Sequence, residues 1–129
     1  MPVTVAIVED NADLRGTLAR VIGRAPGHQC VGQYGDAESA LAGLPKDKPN
    51  VVLMDINLPE MNGVECVRKL KLALPETLVV MLTAYEDTEN IFGSLEAGAS
   101  GYLLKRSKSV EILDAIKEVR TGGSPMTAH

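Results

Sequence analysis

Three carboxylates directly follow two short apolar runs of the sequence. Glu9 and Asp10 come after one run, and Asp55 comes after another. Two further polar residues end similar runs, the hydroxyl residue Thr83 and the cationic residue Lys105. A carboxylate can attack phosphorus to give an acyl phosphate, while a hydroxyl and an ammonium group can bind phosphoryl oxygens. These residue types therefore predict phosphoryl chemistry, provided that the fold brings them together.

The apolar runs predict the strands that must carry these residues. Four runs are short and continuous, as expected for strands buried on both faces of a parallel sheet. They cover residues 3–8, 51–54, 78–82 and 101–104, and a more polar run over 30–34 suits a sheet edge.

Residues with helical spacing lie between the predicted strands. The helical faces consist of Leu14, Leu18, Val21 and Ile22; of Ala40, Leu41 and Leu44; of Val64, Val67, Leu70 and Leu74; of Ile91 and Leu95; and of Ile112, Ile116 and Val119. Asp36 has the residue type of an N-cap, and Gly98 has that of a helix terminator. Strand and helix thus alternate five times, which predicts one α/β domain, a doubly wound (βα)5 parallel sheet with right-handed crossovers.

The flavodoxin-like strand order 2-1-3-4-5 makes the carboxyl ends of strands one and three neighbours. Ligands of open α/β sheets bind just outside those ends, so Glu9, Asp10 and Asp55 are expected to converge. Each pair of carboxylates a few Å apart repels by about 1 kcal/mol in water and about 4 kcal/mol at an intermediate dielectric constant. The cluster therefore needs a proton or a cation, and an all-oxygen site favours Mg²⁺.

Four segments resemble, in order, the signature of response regulator receiver domains. They are residues 9–10, 54–63, 83–84 and 102–105. The resemblance covers nearly the whole chain and implies that Asp55 accepts a phosphoryl group from a sensor histidine kinase or a small acyl phosphate. It also implies a signalling phospho-acceptor rather than an enzyme that turns over a separate substrate.

The same resemblance implies the metal ligands. Asp10 and Asp55 would bind Mg²⁺ directly, Glu9 would help through water, and the backbone carbonyl of Asn57 would supply another ligand.

It further implies a pair of switch residues. Thr83 and Lys105 would bind the phosphoryl group. As Thr83 moves towards the phosphoryl group, Tyr102 would turn inward into the space that Thr83 vacates. The surface that changes would be residues 87–121, with a new dimer contact there or at the first helix.

Two C-terminal segments, residues 99–105 and 118–127, resemble receivers of the NarL/FixJ class, the N-terminal part of LuxR-family transcriptional regulators. In that class a Gly-Gly stretch leads to a linker and a helix-turn-helix domain. We therefore expect a receiver domain over residues 1–121 and, over 122–129, the start of a linker towards a missing C-terminal DNA-binding domain. DNA would be bound through that domain alone, and a stand-alone receiver is the alternative.

Composition excludes other classes of protein. The chain has 129 residues, of which 45% are hydrophobic and 23% charged, and no apolar run approaches the roughly 18 to 20 residues of a membrane span. No export signal is evident, so a cytoplasmic protein is expected. A net charge of -4 and the absence of a basic stripe argue against DNA binding by these residues. Cys30 and Cys66 lack metal or redox spacing, which predicts buried or half-buried thiols.

Three alternatives remain open on the residues alone. A phosphatase with an aspartate nucleophile would need a second acid where Asn57 stands. A flavin- or nucleotide-binding module is disfavoured because the acidic loop after the first strand would repel the ligand's phosphate unless a metal is present. A pseudo-receiver would bind partners without phosphorylation. Two local features are also noted: Arg106 stands where many receivers have proline, and Tyr85 is expected to shield the phosphoryl group and slow its hydrolysis.

Overall fold

A computed structural model describes residues 1–84 and 88–126 of the chain. Strands and helices alternate throughout these residues. In chain order they are β1 (Val3–Val8), α1 (Ala12–Arg24), β2 (His28–Tyr34), α2 (Ala37–Asp47), β3 (Val51–Asp55), α3 (Gly63–Ala73), β4 (Leu78–Thr83), α4 (Thr88–Ala97), β5 (Gly101–Leu104) and α5 (Ser109–Arg120). The five predicted strands and five predicted helices are confirmed.

The five strands form one parallel sheet in the order β2-β1-β3-β4-β5. The predicted flavodoxin-like order is therefore confirmed. Val8 pairs with Met54, so β1 and β3 end side by side at the point where the strand order reverses. Thr83 pairs with Leu104, which brings the end of β5 to the same edge of the sheet.

Alternate residues along the central strands face different helices, because successive side chains of a strand point to opposite faces. One buried cluster lies beneath α2, α3 and α4, and the other beneath α1 and α5. The first contains Ala6, Val8, Val52, Met54, Val79 and Met81 of the strands with Leu44, Val67, Leu70 and Ile91 of the helices. The second contains Val5, Ile7, Leu53, Val80 and Leu82 with Leu18, Ile22, Ile112, Ile116 and Val119.

Three helices near the carboxyl edge begin at a side-chain cap. Asn11, Asp36 and Asn62 each accept a hydrogen bond from a backbone N–H three residues later, at 3.0, 2.7 and 3.0 Å. Such a cap contributes about 1 kcal/mol and fixes where the helix starts. The prediction for Asp36 is confirmed. Gly98 follows α4 with a φ of 120°, which confirms its role as a terminator.

The chain after α5 returns to the edge of the sheet beside β5. The backbone N–H of Tyr102 donates to the carbonyl of Pro125 at 2.9 Å, and Tyr102 forms a parallel bridge with Met126. Residues 124–126, which belong to the predicted linker, therefore lie beside β5 and form one isolated bridge to it. The domain boundary after residue 121 stays a prediction.

The remaining sequence predictions concern thiols and membrane spans. Cys66 is buried and Cys30 half-buried, and both are free, as predicted. None of the helices formed by the described residues has the length and apolar character of a membrane span.

Candidate functional site

The three predicted carboxylates meet at the carboxyl edge of the sheet. Glu9 and Asp10 follow β1, and Asp55 is the last residue of β3. One oxygen from each lies within 4.8 Å of the others. Glu9 and Asp55 are completely buried, whereas Asp10 is exposed. The predicted convergence is confirmed.

Lys105 joins this acidic cluster from the end of β5. Its Nζ lies 2.9 Å from Glu9 Oε1 and 3.1 Å from Asp55 Oδ2. The backbone N–H of Lys105 donates to the carbonyl of Thr83 at 2.8 Å, which holds the lysine against β4. One lysine offsets one of the three carboxylate charges.

The donor set fits a divalent cation. Glu9 Oε1 and Asp55 Oδ2 are buried and contact the ammonium group at ion-pair distance, yet neither accepts a hydrogen bond of good geometry from the described residues. A buried carboxylate oxygen without a hydrogen bond is costly, and Mg²⁺ prefers oxygen ligands of this kind. The two charges left over after pairing with Lys105 equal the charge of one Mg²⁺.

Burial separates the pKa values of the three carboxyl groups. It raises the pKa of Glu9 to about 7, against the opposing hydrogen bonds from Asn11 and Lys105. Burial also raises the pKa of Asp55, although the Asn57 N–H and Lys105 lower it. Asp10 is exposed, and its side-chain hydrogen bonds with Asp55 and Glu9 lower its pKa.

Lys105 remains cationic in this setting. Burial lowers its pKa, but the contacts with Glu9 and Asp55 raise the pKa by more, so that it lies above the ordinary value. The lysine therefore carries a full charge beside Asp55 at neutral pH.

The loop after β3 holds Asp55 through the backbone. The Asn57 N–H donates to Asp55 Oδ1 at 2.9 Å, and the Gly63 N–H donates to the carbonyl of Ile56 at 2.7 Å. A Cβ on Gly63 would lie 2.2 Å from the carbonyl oxygen of Asp55. Glycine is thus required where α3 begins, because the helix passes directly against the backbone of Asp55. No motif in the sequence indicates this role of Gly63.

The loop after β1 is held at Glu9 from several sides. The Glu9 N–H donates to the carbonyl of Tyr34, and the Asn11 N–H donates to Glu9 Oε2, each at 2.9 Å. Arg15 Nη1 donates to the carbonyl of Glu9 at 2.7 Å. The sequence does not predict this contact of Arg15, because its one signal is a cation in α1 five residues after Asp10.

The predicted switch residues stand on β4 and β5. Thr83 is fully buried at the end of β4, and Tyr102 is half-buried and packs against the core cluster beneath α2, α3 and α4. The carbonyl of Asn57 as a metal ligand stays a prediction. Tyr85, with its predicted effect on hydrolysis, lies outside the described residues.

Comparison with known proteins gives the family. A family model described as the response regulator receiver domain matches residues 5–117. The chain belongs to this family. Receiver domains act with sensor histidine kinases as signalling phospho-acceptors rather than as conventional enzymes, and the cluster of Glu9, Asp10 and Asp55 fits the Mg²⁺ site of a receiver domain.

The receiver domain is similar to parts of longer transcriptional regulators. It is 34% identical to the transcriptional regulatory protein DegU of Brevibacillus brevis, across 98% of this chain and 55% of DegU. It is 35% identical to the DNA-binding transcriptional activator DevR/DosR of Mycobacterium tuberculosis, across 95% of this chain and 56% of the activator. The chain spans about half the length of these curated relatives.

A solved structure agrees with the same class of receiver domain. The LuxR-family two-component response regulator from Aurantimonas sp. SI85-9A1 superimposes with a TM-score of 0.90 at 28% identity, covering 98% of this chain and 90% of that one. The predicted resemblance to receivers of LuxR-family regulators is confirmed.

Proposed function

We propose that Asp55 accepts a phosphoryl group from a sensor histidine kinase or a small acyl phosphate. The observation that carries the proposal is the completely buried Asp55 carboxylate, with Oδ2 3.1 Å from Lys105 Nζ and ligand oxygens of Glu9 and Asp10 within 4.8 Å. A nucleophile beside a fixed cation suits a reaction in which positioning and charge stabilisation do most of the work.

The two Asp55 oxygens have different surroundings, which favours attack by one of them. Oδ1 accepts the Asn57 N–H, whereas Oδ2 faces Lys105. The proposed step forms a bond between an Asp55 oxygen and phosphorus and breaks the bond from phosphorus to the donor's nitrogen or oxygen. Lys105 stabilises the phosphoryl oxygens, and the Thr83 hydroxyl donates to one of them.

Glu9, Asp10 and Asp55 would hold Mg²⁺, with the carbonyl of Asn57 as a further ligand. When bound, Mg²⁺ supplies positive charge to the phosphoryl oxygens and removes the repulsion among the carboxylates.

Phosphorylation would change the surface beyond Thr83 and Tyr102. The phosphoryl group adds roughly -1.5 to -2 charges, by analogy with hydroxyl phosphoesters. Moving a two-state equilibrium from 1:99 to 99:1 takes about 5.5 kcal/mol, so a few charge-assisted hydrogen bonds suffice only narrowly. We propose that the output is a dimer contact through residues 87–121 or α1.

Control of transcription would then follow through a helix-turn-helix domain beyond these residues. The relatives DegU and DevR/DosR, which extend past the matched part, are transcriptional regulators. We place the reaction in the cytoplasm, in keeping with the family.

The test of phosphorylation is the mass of the intact protein after incubation with Mg²⁺ and acetyl phosphate. We expect one phosphoryl adduct that is stable in acid and lost in base. The adduct should vanish in Asp55→Asn and persist in Asp114→Asn, which removes an exposed carboxylate on α5. An adduct that survives in Asp55→Asn would overturn the assignment.

The switch is tested separately with beryllofluoride, a stable phosphoryl mimic. With Mg²⁺ present, the backbone amide signals of Thr83 and Tyr102 should shift, and the mass measured in solution should rise if the output is a dimer. Unchanged signals at both residues would leave the pseudo-receiver as the better interpretation.

A further inference from the structure

Arg15 connects α1 to the peptide that joins two of the proposed metal-binding residues. Its Nη1 donates to the carbonyl of Glu9 at 2.7 Å in a partly buried position. That carbonyl belongs to the peptide between Glu9 and Asp10. The direction of this peptide determines where the Asp10 side chain leaves the backbone, because a peptide unit is planar and rigid.

Other groups bind the N–H and the carboxylate of Glu9, and Arg15 binds its carbonyl. The Glu9 N–H is held by Tyr34, and the Glu9 carboxylate is held by Asn11 and Lys105. Asp10 is the exposed carboxylate of the cluster, so less packing determines its position. The Asn11 N–H fixes the peptide that follows Asp10, and the Arg15 guanidinium contacts the carbonyl of the peptide that precedes it.

Gly35 makes room for the guanidinium from the neighbouring loop after β2. A Cβ on Gly35 would lie 3.0 Å from Arg15 Nη1, closer than ordinary van der Waals contact. The Arg15 side chain therefore sits between the loops that follow β1 and β2. An alanine at position 35 would push it by a few tenths of an Å.

The helix itself does not favour a cation at this position. Arg15 lies in the first turns of α1, which begins at Ala12, and the positive end of the helix dipole disfavours cations there. The acidic residue Asp13 shows the charge that this end of the helix prefers. The contact with Glu9 gives a reason for an arginine here that helix stability does not supply.

We infer that Arg15 is a positioning residue for the divalent cation. By holding the carbonyl of Glu9, it aims the Asp10 carboxylate towards the oxygens of Glu9 and Asp55. The inference rests on the proposed function, since it assumes that these carboxylates bind Mg²⁺. Removing a group that orients metal ligands typically weakens metal binding by about 10- to 100-fold, and we expect about tenfold because Arg15 acts through the backbone.

The experiment measures the Mg²⁺ dissociation constant by following backbone amide signals during titration of the whole chain with Mg²⁺ alone. Arg15→Met keeps the apolar stem and removes the donors, and its dissociation constant should rise about tenfold. Arg15→Lys restores a charged donor and should recover part of the affinity. Arg20→Met removes an exposed arginine of the same helix, which contacts Thr17, and should stay within about twofold of the wild type.

Gly35→Ala provides an independent disturbance of the same contact. It should weaken Mg²⁺ binding by less than Arg15→Met and should have no further effect in the Arg15→Met background, because the side chain it displaces is gone. It also keeps the inference testable if Arg15→Met does not fold. Amide exchange at Asn11, whose N–H donates to Glu9 Oε2, should become faster in Arg15→Met.

The outcomes separate this inference from the proposed function. If the wild type binds Mg²⁺ and Arg15→Met binds it equally well, Arg15 has no positioning role, whatever its effect on thermal stability. Additive effects of Gly35→Ala and Arg15→Met would also overturn the inference. If the wild type itself binds no Mg²⁺, the proposed function fails and the inference fails with it.

Discussion

Asp55→Asn should stabilise the metal-free protein even though it removes the proposed acceptor. Asp55 faces two carboxylates whose oxygens lie within 4.8 Å and one ammonium group at 3.1 Å. At an effective dielectric constant of about 20, each carboxylate repels Asp55 by about 3.5 kcal/mol and Lys105 attracts it by about 5 kcal/mol. Two repulsions exceed one attraction by about 2 kcal/mol, before the cost of burying the charge is added.

We therefore expect Asp55→Asn to raise the free energy of unfolding by about 2 kcal/mol at about pH 8, where Glu9 is also ionised. For a domain of this size, the midpoint of thermal unfolding should rise by about 5 to 10 °C. The assay is thermal unfolding followed by circular dichroism, in a chelator and then in excess Mg²⁺. At a Mg²⁺ concentration about ten times the dissociation constant, the wild type should gain about 1.4 kcal/mol and the variant much less.

Asp114→Asn is the matched control, because it removes an exposed carboxylate outside the acidic cluster. Its midpoint should change little, with or without Mg²⁺. A lower midpoint for Asp55→Asn in the chelator would refute the reasoning, since it would mean that Lys105 and the local hydrogen bonds more than compensate for the repulsion. An equal response of wild type and Asp55→Asn to Mg²⁺ would refute the assignment of Asp55 as a ligand.

Three further predictions concern packing, pH and the C-terminal segment. Gly63→Ala should lower the free energy of unfolding by about 3 kcal/mol, because its Cβ would meet the Asp55 backbone oxygen at 2.2 Å; a urea midpoint equal to that of the wild type would contradict this. Burial raises the pKa of the Cys66 thiol to about 11 from 9.0, so between these pH values the unfolded chain ionises first and stability falls as pH rises. The loss at about pH 11 should reach about 2.3 kcal/mol in the wild type relative to Cys66→Ala, measured by urea unfolding, and parallel pH profiles would exclude it. Removing residues 124–129 takes away the carbonyl that accepts the Tyr102 N–H, so amide exchange at Tyr102 should become faster, and unchanged exchange would show that the pairing is not maintained in solution.

Much of the fold and of the acidic cluster could be predicted because apolar residues occur in continuous runs at the strands and at helical spacing in the helices. The continuous apolar runs become the buried central strands, and each predicted site residue stands where such a run ends. Parallel strands end at one edge, so the convergence of Glu9 and Asp55 follows from the strand order. The N-cap at Asp36 could be predicted for a similar reason, since its side chain bonds to a backbone N–H only three residues away.

The contacts that position the cluster could not be predicted, because they depend on how closely separate elements approach. Gly63 is needed only because α3 lies so close to the Asp55 backbone that a Cβ would be 2.2 Å from its carbonyl oxygen. The segment around Pro125 could equally have turned away from β5 instead of accepting the Tyr102 N–H. The spacing of Arg15 from Asp10 shows a cation nearby but not which group it reaches.

The sequence by itself determined the order of the elements, the faces that they bury and the identity of the residues at the strand ends. These properties depend on local periodicity and on the chemistry of single side chains. Only the tertiary structure decided that Glu9 and Asp55 are completely buried while Asp10 is exposed, and that burial raises the pKa of Glu9 to about 7. Burial and charge compensation are properties of an assembled site, because they depend on every element that packs around it.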